Sequence, residues 1–180
     1  MKDVTVCCIR QGSYYGPEYV EILHSMVRRN LETDVPFVCF TDLPGRPCPG
    51  IRYERLPADR PGWWSKLGLF RPEVRGIDSR WMLYLDLDVV ITGGIKPLLH
   101  LKGDLCIARD YPVLTHPQRP DCNTSVMLIK VGANPDIWES YEAMANAELR
   151  YWSDQDFLNS LYPGRIELIP DDWVQSYKLH

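Results

Sequence analysis

The feature that most constrains the fold is the segment WMLYLDLDVVI, which extends from Trp81 to Ile91. It is apolar apart from two aspartates, Asp86 and Asp88, and the turn signal TGG follows at residues 92–94. An apolar run bounded by a turn is typical of a β-strand that is buried in a sheet. We therefore predict a strand over residues 81–91, the strongest strand in the sequence.

Strand-like and helix-like segments alternate along the rest of the chain, which favours an α/β architecture. Between Pro17 and Leu31 the apolar residues recur at helical spacing, with proline in the first turn and arginines in the last. The predicted strands are residues 4–9, 35–40, 51–56, 81–91, 105–108, 126–131 and 165–169. The predicted helices are residues 17–31, 63–70, 135–147 and 154–161, and the proline-rich segment 110–121 is predicted to be a long loop. We find no repeat and no interdomain linker, so we expect one domain over residues 1–180.

Composition excludes several other classes of protein. With 180 residues, 45% hydrophobic and 24% charged, the chain is long enough to form a core and is not disordered. Its net charge of −4 gives no general attraction to nucleic acid, so we expect no nucleic-acid partner. No stretch resembles a signal peptide or approaches the roughly 18 apolar residues of a transmembrane helix. The six cysteines form no C-x-x-C pair and several lie in apolar runs, which favours free thiols and a cytoplasmic location.

The two aspartates of the strongest strand form a candidate metal site. Because side chains alternate along a strand, Asp86 and Asp88 are expected to point the same way, about 7 Å apart. Burying two carboxylates is costly, so we place them at the carboxyl end of the strand, where open α/β sheets bind their ligands. Adjacent carboxylates suit Mg²⁺ or Mn²⁺, which complete their shells with phosphates and water. The pair therefore predicts a phosphate-handling site, and the alternative is a solvated strand end.

Four segments, in order, carry a resemblance to a known family. The segment YLDLDVV at residues 84–90 resembles the D-x-D motif of GT-A glycosyltransferases, particularly the retaining family 8-like nucleotide-diphospho-sugar transferases. The segments WSKL at 64–67, CNTSVML at 122–128 and WSDQD at 152–156 match the same pattern. The resemblance extends from the first strand to about Trp173. It implies a single-domain, Rossmann-like GT-A fold with a mostly parallel mixed sheet flanked by helices.

The resemblance implies a donor site around the D-x-D motif. Asp86 and Asp88 would hold Mn²⁺ or Mg²⁺ on the diphosphate of a nucleotide sugar, and Asp86 would also meet the ribose. Lys66 would approach the phosphate or the sugar, although a lysine on a helix surface is an equal alternative. In a GT-A-like strand order, Arg10 and Asp42 follow strands that end at the nucleotide edge, where they would hold base and ribose. A turn aspartate is the other interpretation of Asp42.

The two remaining segments would face the sugar. Asn123 and Ser125 are expected to line the donor-sugar pocket, although both residue types also favour turns. By the resemblance, Asp154 would position the sugar, and Gln155 would stabilise the oxocarbenium-like centre as the catalytic side chain. As an alternative, Asp154 would simply cap the helix that begins there. Family members take a third metal ligand from a C-terminal histidine in an H-x-x-G-type segment, which has no counterpart before His180, so we expect a short variant or a shell completed by water and substrate.

The predicted function is transfer of a sugar from a nucleoside diphosphate donor, with UDP favoured, to a hydroxyl of a glycan or small molecule, with retention. Two alternatives remain open at this point. A phosphatase of the haloacid-dehalogenase type would use Asp86 as nucleophile and Asp88 as general acid and base. In such enzymes the motif ends the first strand of the fold, whereas here a strand–helix–strand unit over residues 4–56 precedes it. A non-catalytic nucleotide-sugar-binding module of the same fold is the second.

Overall fold

A mixed seven-stranded sheet forms the centre of the protein. It is seen in a computed structural model that describes residues 3–44, 47–110, 122–144, 146–161 and 166–177. The strands are β1 (Val4–Arg10), β2 (Phe37–Thr41), β3 (Ile51–Arg55), β4 (Trp81–Leu85), β5 (Leu105–Arg109), β6 (Cys122–Lys130) and β7 (Glu167–Leu168). Their order is β3-β2-β1-β4-β6-β5-β7, and β6 runs antiparallel to both of its neighbours. The sheet is therefore mostly parallel, as predicted.

Helical segments cover both faces of this sheet. The α-helices are α1 (Pro17–Leu31), α2 (Pro135–Ala143), α3 (Ala147–Arg150) and α4 (Asp154–Leu161), and the 3₁₀-helices are Gly62–Phe70 and Lys96–His100. Side chains of β4 alternate between two hydrophobic clusters. Met82 and Tyr84 join the cluster under α2, α4 and Gly62–Phe70, whereas Leu83 and Leu85 join the one under α1. β4 is thus buried on both faces, which explains its apolar sequence.

Two predicted helices have the observed bounds. α1 begins with proline at its first position and ends with basic residues in its last turn, and α4 spans residues 154–161. The predicted helix 135–147 is wrong at its end, because α2 stops at Ala143 and α3 begins only at Ala147. Among the described residues, no helix is both long enough and apolar enough to cross a bilayer.

The predicted strand 81–91 is also wrong beyond Leu85. The chain leaves the sheet at Asp86, whose carbonyl oxygen accepts a hydrogen bond from Val89 N at 3.2 Å and closes a turn. Asp86 and Asp88 therefore do not alternate along one strand. Carboxylates at this position can contact solvent and polar partners, which are absent from the interior of the sheet. Conversely, β6 begins at Cys122, four residues earlier than predicted, and only residue 110 of the predicted loop is described.

The strand directions bring distant parts of the chain to one edge. β1, β2 and β4 are parallel, so their carboxyl ends lie side by side. β6 runs the opposite way, with Val126 beside Leu85, so its beginning meets the end of β4 at the same edge. Every residue predicted for the site lies at or just after one of these strand ends, within the first four residues of β6, or on a helix packed beside them.

Candidate active site

Asp86 lies at the centre of this edge and is held from three sides. Its backbone N donates to Ser125 O at 2.8 Å, so the start of β6 fixes the main chain. The hydroxyl of Tyr84 donates to Asp86 Oδ1 at 2.5 Å. Lys66 Nζ lies 2.9 Å from the carboxylate oxygens of Asp86 and also donates to Thr124 Oγ1 at 3.3 Å. The carboxylate is therefore oriented before any ligand arrives.

Lys66 reaches Asp86 because its 3₁₀-helix packs tightly against the chain before it. A Cβ on Gly68 would lie 2.5 Å from the carbonyl carbon of Pro57, so only glycine permits this approach. The Lys66 side chain is only 12% exposed and that of Asp86 22%, which places Lys66 in a largely buried ion pair and not on a solvated helix surface. Burial acts to lower the pKa of Lys66, but the carboxylates of Asp86 and Asp154 outweigh it and raise that pKa.

Asp154 approaches the same cluster from the start of α4. It is 2% exposed, and its Oδ2 atom has no hydrogen-bond partner among the described residues. Burial raises the pKa of Asp154, opposed by Lys66 and by a hydrogen bond with Thr124. Asp156 N donates to Ser153 Oγ at 3.3 Å, so Ser153 and not Asp154 caps the helix, and the carboxylate of Asp154 is buried. Its unpartnered oxygen is a position for a hydroxyl donor.

Gln155 is tied to the beginning of β6. Its Oε1 atom accepts a hydrogen bond from Thr124 N at 3.1 Å, while Asn159 Nδ2 donates to its carbonyl oxygen at 3.0 Å. Asn123 makes a local bond, in which its Oδ1 accepts from Ser125 N at 2.9 Å. The structure therefore brings Lys66, Asp86, Asp154 and Gln155 together around Thr124, whereas the side chain of Asn123 serves its own strand end. We call Lys66, Asp86, Thr124 and Asp154 the inner cluster.

A second group, here called the outer cluster, consists of Gly12, Tyr15, Asp42 and Asp88. The Tyr15 hydroxyl donates to Asp88 Oδ2 at 3.1 Å, and Gly12 N donates to the Asp42 carboxylate, with its oxygens at 2.9 and 3.2 Å. Asp42 and Asp88 are exposed. Burial and then the charge of Asp88 raise the pKa of Tyr15 to about 12, so it remains a proton donor near neutral pH.

Arg10 contacts the main chain of the outer cluster. It is buried at the end of β1, and its Nε donates to the carbonyl oxygen of Tyr15 at 2.9 Å. The neighbouring Gln11 donates from Nε2 to Arg60 O at 2.7 Å, which joins the loop after β1 to the one before Gly62–Phe70. Arg10 therefore orders the loop that carries Tyr15.

Three side chains at the site were not predicted from the sequence. Tyr84 carried a usable signal, because a residue two before Asp86 in a strand faces the same side. Thr124 lies between Asn123 and Ser125, the two residues predicted there, and alternation does not assign its face, because the pairing of β5 with β6 shifts register within this stretch. Tyr15 had no local signal, since its partner Asp88 lies 73 positions away in the chain.

The two aspartates supply carboxylate oxygens, the kind of ligand that hard divalent cations prefer. Within the described residues no three His, Cys, Asp or Glu side chains converge on one point, so Asp86 and Asp88 would be the only ligands of these types there. A carboxylate has about four lone-pair positions, and those of Asp86 are not all used by Lys66 and Tyr84. Mg²⁺ or Mn²⁺ characteristically takes one or two carboxylates and fills its shell with phosphate and water. His180 lies outside the described residues.

A groove of about 470 Å³ lies at the opposite edge, beside the amino ends of β1, β2 and β3. Several of its polar side chains are already hydrogen-bonded within the protein. Ser79 Oγ donates to Thr5 Oγ1 at 2.8 Å, and Arg80 N donates to Asp3 Oδ2 at 3.1 Å. It contains none of the predicted site residues, and paired groups of this kind leave little for a ligand to bind.

Solved glycosyltransferases share this architecture. The galactosyltransferase LgtC, solved in complex with donor and acceptor sugar analogues, matches with a TM-score of 0.65 and 18% identity over 91% of this chain and 72% of its own. The protein has a glycosyltransferase fold. GlyE of Streptococcus pneumoniae TIGR4 matches with a TM-score of 0.71 and 16% identity over 94% of this chain and 45% of GlyE. The bifunctional glycosyltransferase WbbM matches with a TM-score of 0.57 and 14% identity over 94% of this chain and 39% of WbbM.

These matches confirm the predicted GT-A-like fold. The chain spans less than half the length of GlyE and of WbbM. No protein-family model and no curated protein sequence matches the chain. Membership of family 8 stays a prediction.

Proposed function

We propose that the protein is a metal-dependent glycosyltransferase that moves a sugar from a nucleoside diphosphate sugar to an acceptor hydroxyl. The observation that carries the proposal is the position of Asp86. In a glycosyltransferase fold, it lies at the carboxyl edge of the sheet, already oriented by Lys66 and Tyr84, with the second carboxylate of Asp88 two residues on. An edge with paired carboxylates and a lysine suits a diphosphate.

The proposed donor site combines both clusters. Asp86 and Asp88 would hold Mn²⁺ or Mg²⁺, which when bound would neutralise charge on the diphosphate. Lys66, already protonated beside Asp86, would add a positive charge on the inner side. Arg10 and Asp42 would serve the nucleotide end, with UDP the favoured nucleotide, because Arg10 ends β1 and Asp42 follows the neighbouring strand β2. In this assignment Arg10 acts through the loop that it orders.

Asp154 and Gln155 would act on the sugar. The unpartnered Oδ2 of Asp154 would accept a hydrogen bond from a hydroxyl of the donor sugar, and Gln155 would lie beside the reacting carbon. Asn123 and Ser125 would line the pocket, Asn123 through its amide nitrogen, since its Oδ1 bonds to Ser125 N. LgtC has an active-site glutamine that has been changed to glutamate in one solved variant, which supports a glutamine in this role. In the retaining reaction, the bond from sugar C1 to the diphosphate oxygen breaks and the acceptor oxygen bonds to C1 on the same face. The acceptor proton passes to the leaving diphosphate.

Acceptor, location and extent belong to the same proposal. The acceptor is a glycan or small molecule with a free hydroxyl, in line with the acceptor sugar analogue bound to LgtC. A cytoplasmic location is supported by the six cysteines, which form no disulfide among the described residues and of which five are buried. Residues 1–180 are proposed to act as one catalytic domain, because a single sheet contains strands from Val4 to Leu168.

Release of free nucleoside diphosphate from a panel of nucleotide sugars with Mn²⁺ tests the proposal. We expect turnover with at least one UDP-sugar, and a loss of about 100-fold or more in Asp86→Asn and in Asp88→Asn. Asp104→Asn is the matched control, since Asp104 is a half-exposed aspartate that pairs with Lys130 away from the site. Metal-dependent nucleotide binding without turnover would favour the binding module. Hydrolysis of a generic phosphate ester that Asp86→Asn abolishes would favour the phosphatase.

A further inference from the structure

We propose that Tyr15 is a positioning residue for Asp88, which it holds in the orientation that a metal–diphosphate group requires. This inference rests on the proposed function of the Asp86–Asp88 pair. It concerns a residue outside the four matched sequence segments, 73 positions before its partner in the chain. The interaction joins the loop after β1 to the turn after β4.

Asp88 is the less supported of the two carboxylates. It lies on the exposed turn that Val89 N and Asp86 O close, outside the hydrogen-bond ladder of the sheet. Within the described part of the chain, the Tyr15 hydroxyl at 3.1 Å is the one hydrogen-bond donor to its carboxylate. That bond uses Oδ2 and leaves Oδ1 for a cation. An exposed aspartate without such a partner would sample several rotamers.

Tyr15 is well placed to restrain Asp88 because it is itself fixed. The buried Arg10 donates from Nε to the Tyr15 carbonyl oxygen at 2.9 Å, which anchors the main chain. The Tyr15 ring packs edge-on against the rings of Tyr14 and Tyr19, each with a centroid 4.9 Å away. Both contacts restrict the ring, so the hydroxyl reaches Asp88 from a fixed point.

A tyrosine hydroxyl therefore supports each aspartate, by different means. Tyr84 lies in β4, only two residues before Asp86 in the chain, so their separation is set by local geometry. Tyr15 supports Asp88 across the sheet edge, so that pair forms only when the loop after β1 is in place. Groups that orient a metal ligand change metal affinity or activity by about 10-fold to 100-fold when they are removed.

The test is Tyr15→Phe, which removes the hydroxyl and keeps the ring. We expect the affinity for Mn²⁺, measured by electron paramagnetic resonance with Mn²⁺ alone and with UDP, to fall about 10-fold at an unchanged melting temperature. Saturating Mn²⁺ should restore most of the turnover number, because the chemistry itself is unaltered. Tyr14→Phe is the control. Tyr14 is 88% exposed and makes no hydrogen bond through its hydroxyl among the described residues, so its Mn²⁺ affinity should equal that of the wild type.

A double-mutant cycle identifies the route of the effect. In an Asp88→Ala background, Tyr15→Phe should cause no further loss of Mn²⁺ affinity, because the hydroxyl no longer has its partner. An undiminished loss in that background overturns the inference. Wild-type affinity in Tyr15→Phe also overturns it, while the proposed function stands. A wild-type protein that binds no Mn²⁺ with or without UDP refutes the metal dependence itself, and the inference with it.

Discussion

The inner and outer clusters lie at the same sheet edge, yet their charges are held in different ways. In the inner cluster, Lys66, Asp86 and Asp154 are withdrawn from solvent and depend on one another. In the outer cluster, Asp42 and Asp88 are exposed, and each carboxylate is restrained by one donor group, Gly12 N or the Tyr15 hydroxyl. Removing one partner of a buried pair is costly, whereas exposed pairs contribute little to stability. Substitutions in the inner cluster should therefore affect folding and binding together, and those in the outer cluster binding alone.

The largest expected effect is that of Lys66→Met. It leaves Asp86 and Asp154 without their cation, and we expect the free energy of unfolding in urea to fall by about 3 kcal/mol. Lys130→Met is the matched control, because Lys130 pairs with Asp104 at 2.9 Å but both are about half exposed, and the loss should stay under about 1 kcal/mol. Equal losses in the two variants would remove the distinction between buried and exposed pairs.

A smaller effect is expected for Thr124→Val, which keeps the shape of the side chain. It removes the hydroxyl that accepts from Lys66, so the free energy of unfolding should fall by about 1.5 kcal/mol and turnover by about 10-fold. Thr5→Val removes a buried hydroxyl at the opposite sheet edge, where it accepts from Ser79. That control should lose stability and keep its turnover. If turnover falls alike in both, the position of Thr124 in the site is irrelevant.

The smallest expected effect is a change in the pH dependence of stability in Asp154→Asn. The folded protein raises the pKa of Asp154 through burial, so the folded state holds this proton to higher pH than the unfolded state does. The free energy of unfolding of the wild type should therefore fall relative to that of the variant as pH rises from about 3.9 through the raised pKa. Above that pKa the difference between the two proteins should remain constant. Urea unfolding across that interval measures the difference. If the wild type instead gains stability relative to the variant as pH rises, the charge of Lys66 outweighs burial in setting the pKa of Asp154.

Features set by local sequence pattern could be predicted, whereas features set by long-range contacts could not. The bounds of α1 follow from proline at its start, arginines at its end and apolar residues at helical spacing between them. The end of β4 at Leu85 could not be predicted, because the apolar pattern continues to Ile91 and the chain turns only where Asp86 meets Lys66 and Ser125. The contacts of Thr124 and Tyr15 could likewise not be predicted, since their partners Lys66 and Asp88 lie 58 and 73 positions away in the chain.

The sequence by itself determined the α/β class, the alternation of strands and helices, and the presence of an aspartate pair after a buried strand. These properties depend on side-chain periodicity and turn residues, which are local. Only the tertiary structure decided which face Thr124 presents, that Lys66 is a buried partner of Asp86, and that Tyr15 reaches Asp88. Each of those contacts joins segments far apart in the chain, so it exists only once parallel strands bring their carboxyl ends to one edge.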